Sequence, residues 1–204
     1  MAWVSRKMAE CFVAHGIIKE VDVNVYAYSF ELLIATVINL TAVVVLSVIS
    51  KTVIETGLYL LGFIPLRNLS GGYHAKNHLR CFLLLILTYA VFVMLIYYLP
   101  IDMMQMTTIV IMLLSIGLVL MFAPSDVKNK RLSKDEIARS RKMARIGIAC
   151  YAALASLLLI VFQKDVRIAL SLAMGVFSVA LFLPINYYKQ KWVLSRSDCF
   201  SPPE

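Results

Sequence analysis

The residues best suited to covalent chemistry lie in one short polar stretch, Arg67-Asn68-Leu69-Ser70-Gly71-Gly72-Tyr73-His74-Ala75-Lys76-Asn77-His78-Leu79-Arg80-Cys81. A thiolate is a strong nucleophile, and an imidazole within reach can take the thiol proton and later return it to a leaving group. His74 and Cys81 are therefore a candidate base and nucleophile for acyl transfer. Asn77 is a candidate N-cap, which puts Cys81 in the first turns of a helix. There the helix dipole, with Lys76, Arg80 and an imidazole nearby, favours the thiolate. On one straight helix His74 and Cys81 would stand about 10.5 Å apart along the axis, too far to share a proton. The chain must turn between them, and Gly71 and Gly72 permit a sharp fold just before His74. A cysteine at a helix start also serves packing, so the residue types by themselves leave both roles open.

Metal chemistry is the neighbouring alternative. His78 follows His74 by four residues and precedes Cys81 by three, a spacing that one helical face could turn into a zinc site. Residue 75 is Ala, however, where a HExxH metalloprotease needs Glu as its base. We expect no metal and no other cofactor. The other cysteines, Cys11, Cys150 and Cys199, lack the surroundings of Cys81 and form neither a CxxC pair nor a dense disulfide framework. Glu31 and Glu55 fall close enough to span ends to be solvated, and we read them as structural.

The elements that must hold this stretch are membrane helices. Of 204 residues 61% are hydrophobic and 16% charged, far from the balance of a water-soluble domain. The blocks Cys81 to Leu99 and Met103 to Ala123 carry no charge and are each long enough to cross a hydrocarbon core of roughly 30 Å. Hydropathy predicts further spans over Tyr28 to Ile49, Thr52 to Leu66, Ile146 to Phe162 and Ile168 to Tyr187. The second of the six, Thr52 to Leu66, reaches only about 22 Å and must thin the bilayer or recruit its flanks. The expected fold is an all-α integral membrane protein, six transmembrane helices in a single domain over residues 1–204. An amphipathic segment over 1–24 precedes them, with Trp3, Val4, Met8, Cys11, Phe12 and Ile18 at helical spacing. It fits a helix lying in the interface or one packed on the bundle.

Charge orients the spans. The loop 67–80, the basic loop 124–145 and the two termini hold 17 of the 20 Lys and Arg, which leaves Lys51, Lys164 and Arg167 for the other side. By the positive-inside rule both termini and both long loops face the cytosol. The net charge of +8 is explained by this topology, and we expect no nucleic-acid partner. Residues 195–204, with Pro202 and Pro203, are predicted to be a disordered tail.

The run from Arg67 to Cys81, with its Ser70-Gly71-Gly72-Tyr73-His74-Ala75 core and a Cys seven positions beyond the His, resembles the signature of the accessory gene regulator B family. Ala123-Pro124-Ser125-Asp126, followed by Lys128, Lys130, Arg131 and Leu132, is similar to the family's segment after its fourth span, with Arg131 where the commonest form has Pro. Length, span number and motif order agree over nearly the whole chain. The resemblance implies a bacterial quorum-sensing endopeptidase in the cytoplasmic membrane that cuts a short precursor peptide near its carboxyl end. It implies Cys81 as nucleophile and His74 as general base and acid, with Arg67, Ser70, Gly71 and Gly72 supporting the loop.

By the same implication the cleaved precursor remains on Cys81 as a thioester, which an internal Cys or Ser of the substrate attacks to close a thiolactone or lactone ring. A thioester keeps acyl-transfer potential that hydrolysis would discard. The implied precursor has an amphipathic amino-terminal helix and an acidic tail. Lys128, Lys130 and Arg131 are candidate contacts for that tail or for anionic membrane lipid. A homodimer is compatible with the resemblance. Two rival readings are a peptide exporter, which predicts broken, repeated helices, and a noncatalytic membrane scaffold, which leaves the Gly-Gly-Tyr-His segment idle.

Overall fold

In the computed structural model the described residues are 2–69, 78–123, 134–163 and 165–198, with side chains described over 3–19, 21–69, 82–123, 138–163, 165–185 and 187–188. Among them there is no strand; the chain is helical and divides into two compact units, residues 1–49 and 50–204.

The first unit pairs α1 (Ala2–Ala14) with α2 (Val23–Ile49). Small residues bring α1 close, since Ser5 and Ala9 are buried and Phe12 meets Phe30 at a ring separation of 5.3 Å. Trp3, Val4 and Met8 stay exposed, with the Lys7 ammonium 4.3 Å from the Trp3 ring. Gly16, at φ +68°, stops the helix: its N–H donates to Val13 O at 2.8 Å and that of Ile17 to Phe12 O at 3.0 Å. This is the paired bonding that a left-handed residue provides for the last carbonyls of a helix. A short 3-10 turn, Glu20–Asp22, then leads into α2. That helix starts five residues before the hydropathic span at Tyr28, because hydropathy marks the hydrocarbon-embedded part whereas the backbone ladder continues through any helix-compatible residues.

The second unit holds α3 (Val53–Leu69), α4 (His78–Tyr98), α5 (Ile101–Phe122), α6 (Lys134–Val161) and α7 (Arg167–Asp198). Helix α7 is its axis and packs against α3, α4, α5 and α6. Two thirds of its apolar window is buried, against about a fifth for α5 and α6. Glycine permits the tightest of these contacts. A Cβ on Gly62 would stand 2.7 Å from Leu172 O, and one on Gly175 would collide with the Tyr59 carbonyl. Close approach of this kind is how helices pack when lipid removes the hydrophobic incentive to associate.

Polar side chains complete the packing. Pro65 has no N–H for the carbonyl of Leu61, and the Tyr151 hydroxyl of α6 donates to that carbonyl at 2.8 Å. Tyr59, fully buried, donates to Ser178 Oγ of α7 at 2.9 Å and lies 3.2 Å from Thr88 Oγ1 of α4. Thr56 and Tyr89 share a bond of 2.8 Å. Among the described residues no buried side-chain polar atom lacks a partner.

Among the described residues four helical segments, Val23–Ile49, Ile101–Phe122, Ala138–Val161 and Arg167–Ile185, are long and apolar enough to cross a membrane. Phe82–Tyr98 is apolar but shorter, and α3 has 17 residues, about 25 Å. Each expected span thus corresponds to a helix, and four meet the measure of length and composition.

Two boundaries need correction. The stretch read as a basic loop over 124–145 is helical from Lys134 onward, continuous with the apolar part of α6. Charge ended the hydropathic span there, but Lys, Glu, Ala and Arg are good helix formers and neither Gly nor Pro interrupts the chain before Gly147. Likewise α7 continues to Asp198, into the stretch read as a tail from residue 195, since no Gly or Pro follows Pro184 until Pro202.

Candidate active site

Helix α4 begins at His78, one residue after the expected cap Asn77, and Cys81 is its fourth residue, about 4.5 Å along the axis from the start. Its backbone therefore occupies the first turn, where the amide dipoles point their positive end. At the other end of the polar stretch, Arg67 lies in the last turn of α3, half-buried, with its guanidinium carbon 5.6 Å from the Phe63 ring centre. That contact anchors the side chain along an aromatic face.

Side-chain hydroxyls link α4 to α3 and to the turn before it. Tyr97 donates to Ser50 O, Tyr89 bonds Thr56, and Thr88 bonds Tyr59. In the Tyr89–Thr56 and Thr88–Tyr59 pairs a step forward along α3 is a step back along α4, so the two helices run antiparallel. The last turn of α3 and the first turn of α4 therefore lie toward the same end of this pair.

The expectations for Ser70, Gly71, Gly72 and His74 fall outside the described residues, as do those for Lys128, Lys130 and Arg131. Of the expected site, the structure locates Arg67 in the last turn of α3 and the backbone of Cys81 in the first turn of α4.

A second Cys/His pair escaped the sequence reading, although its i, i+4 spacing is a signal. On α1, Cys11 Sγ lies 3.8 Å from His15 Nδ1, and both residues are exposed. The same nitrogen is 2.8 Å from Cys11 O. A carbonyl only accepts, so Nδ1 carries the proton in that bond and cannot receive one from the thiol. The pair is poorly arranged for nucleophilic catalysis. Among the described residues no group of three His, Cys, Asp or Glu side chains could hold a metal ion.

Also missed was the basic helical face at the start of α6. Ser133-Lys134-Asp135-Glu136 matches a helix-start pattern, Ser followed by Glu three residues on. Arg141, Lys142 and Arg145 share one side of the helix and line an open groove of about 380 Å³ with Ala138, Ile146 and Ala149.

Apolar helices of this length, glycine-mediated crossings and hydroxyls bonded to carbonyls define the class as an all-α membrane protein. The chain belongs to the accessory gene regulator B family, whose model matches residues 5–183, from α1 to the later part of α7. Membership supports involvement in quorum sensing and, in outline, a role in peptide processing. No curated protein and no solved structure matches the chain.

Proposed function

We propose that this protein is a cysteine endopeptidase of the bacterial cytoplasmic membrane that matures a short signalling-peptide precursor, with Cys81 as nucleophile and His74 as general base and acid. The Cys81 thiol gives its proton to the His74 imidazole, and the sulfur attacks the scissile carbonyl carbon. As the tetrahedral intermediate collapses the C–N bond breaks, and the imidazolium protonates the departing amine of the acidic carboxyl-terminal piece. The peptidyl thioester left behind is attacked by an internal thiol or hydroxyl of the substrate. The ring closes as the C–S bond to Cys81 breaks and the proton returns to the thiolate through His74. Exclusion of water at this step favours closure over hydrolysis.

What supports the reading is the position of Cys81 as the fourth residue of α4, a helix antiparallel to α3, with His74 in the stretch of sequence between the two. A helix start favours the anion, and antiparallel helices are what a turn between the two side chains requires. Family membership supports it independently.

We read α2 to α7 as six crossings with both termini cytosolic, and α1 as an interfacial helix whose exposed Trp3, Val4 and Met8 meet lipid. A precursor held by its own amphipathic helix at the same interface would have its scissile bond confined near Cys81, which raises effective concentration. The deciding experiment is co-expression of the precursor with wild type, Cys81→Ala or His74→Ala, followed by mass spectrometry of the released tail. Release is expected with wild type alone; a tail still liberated by Cys81→Ala would defeat the mechanism.

A further inference from the structure

We infer that the groove along the first half of α6 is a binding site for one anionic phospholipid, its phosphate held by Arg141, Lys142 and Arg145 and an acyl chain laid along Ile146 and Ala149. The inference does not depend on the peptidase reading, because it rests on α6 alone.

The six lining residues, Ala138, Arg141, Lys142, Arg145, Ile146 and Ala149, follow one another at i, i+3, i+4, i+7, i+8 and i+11. At 3.6 residues per turn they occupy an arc of about 140°, with the three cations within about 6 Å along the axis. All six are exposed. None of the three cations forms an ion pair or a hydrogen bond among the described residues. Three unpaired positive charges so close repel one another and stay together at least cost when an anion lies between them.

The position of the cations identifies the anion. Directly beyond them the same face becomes apolar, at Ile146 and Ala149, and the apolar segment continues to Val161. A ligand that satisfies both ends must be charged at one end and hydrocarbon at the other. Guanidinium groups pair with phosphate oxygens through two parallel N–H donors, and long basic side chains reach toward a headgroup while their stems cover hydrocarbon. The groove also faces outward. Ala144 and Gly147, both buried, lie on the other side of α6, where a Cβ on Gly147 would stand 2.9 Å from Leu69 Cδ1 of α3. The cations thus point away from α3, the helix that carries Arg67, which favours lipid over a peptide tail lying in the candidate site.

The test is a titration of the purified full-length chain in neutral detergent with phosphatidylglycerol, read as bound lipid by native mass spectrometry and repeated with phosphatidylcholine. Each Lys or Arg near an anionic surface is worth about a fivefold gain in binding. Arg141→Gln/Lys142→Gln/Arg145→Gln is expected to weaken phosphatidylglycerol binding by at least about tenfold and to leave phosphatidylcholine unchanged. Arg141→Lys/Arg145→Lys, which keeps the charge, stays within about threefold of wild type. Ala149→Trp fills the apolar end without altering charge and weakens lipid binding while sparing the weak binding of inorganic phosphate. Lys51→Gln/Arg167→Gln, at exposed cations elsewhere, has no effect. The inference is overturned if the triple variant binds as wild type or if the Lys51/Arg167 control falls equally. It is overturned too if inorganic phosphate displaces the lipid at equal concentration, or if a Glu-rich peptide binds the groove more tightly than the lipid does.

Discussion

Replacing Gly175 by Ala would test the packing of α3 on α7 directly. The new Cβ would collide with the Tyr59 carbonyl oxygen and stand 2.9 Å from its carbon and 3.1 Å from its Cα. All three atoms are backbone, so no rotamer change relieves the clash and α3 must move away. Overpacking of this sort costs typically 1–3 kcal/mol. A retreat of roughly 0.5–1 Å forfeits a quarter to a half of the dispersion well at every contact along the seam. It would also stretch the Tyr59 bonds to Ser178 Oγ, now 2.9 Å, and Thr88 Oγ1, now 3.2 Å. Losing one buried hydroxyl bond adds about 1 kcal/mol. The total is on the order of 2–4 kcal/mol, opposed by the up to 1 kcal/mol that Gly→Ala contributes to helix propensity and to a less disordered unfolded chain. Gly117→Ala in α5 isolates that opposing effect, because a Cβ there meets nothing within 4 Å. Reversible unfolding in mixed micelles of increasing dodecyl sulfate should show Gly175→Ala destabilised and Gly117→Ala neutral or slightly stabilised. Equal stability of the two variants would refute the close crossing.

Tyr151→Phe should destabilise by about 1–2 kcal/mol, because it leaves the Leu61 carbonyl without a donor. Pro65→Ala restores the backbone N–H that this carbonyl lacks, so the Tyr151→Phe penalty should shrink in that background; an additive double-mutant cycle in the same unfolding assay would sink the explanation. Cys81 should react with a soluble thiol probe faster than Cys199 at neutral pH. Its advantage should narrow as pH rises through the ordinary thiol value of about 8.5, where the reference thiol also ionises, and equal rates at neutral pH would count against an activated thiolate.

The start of α4 was legible because its signal is local. Asn77, four residues ahead of the charge-free block that opens at Cys81, signals a helix start, and α4 begins one residue after it, which puts the Cys81 backbone in the first turn. Less legible was the helical start of α6, since hydropathy reads solvent preference and backbone hydrogen bonding does not require an apolar side chain. The groove formed by Arg141, Lys142 and Arg145 appears only when 3.6-residue periodicity is carried across that boundary.

By itself the sequence determines that this chain is a helical membrane protein of the accessory gene regulator B family, because long apolar blocks admit few other folds in lipid and the motif residues are contiguous. Tertiary structure alone decides that α7 is the axis, that Gly62 and Gly175 are points of contact, and that Tyr151 serves a carbonyl ninety residues away, left without its N–H partner by Pro65. The physical reason is that lipid is as apolar as leucine. Which helix meets which is therefore settled by shape and by a few hydrogen bonds between distant residues, and hydropathy carries no record of either.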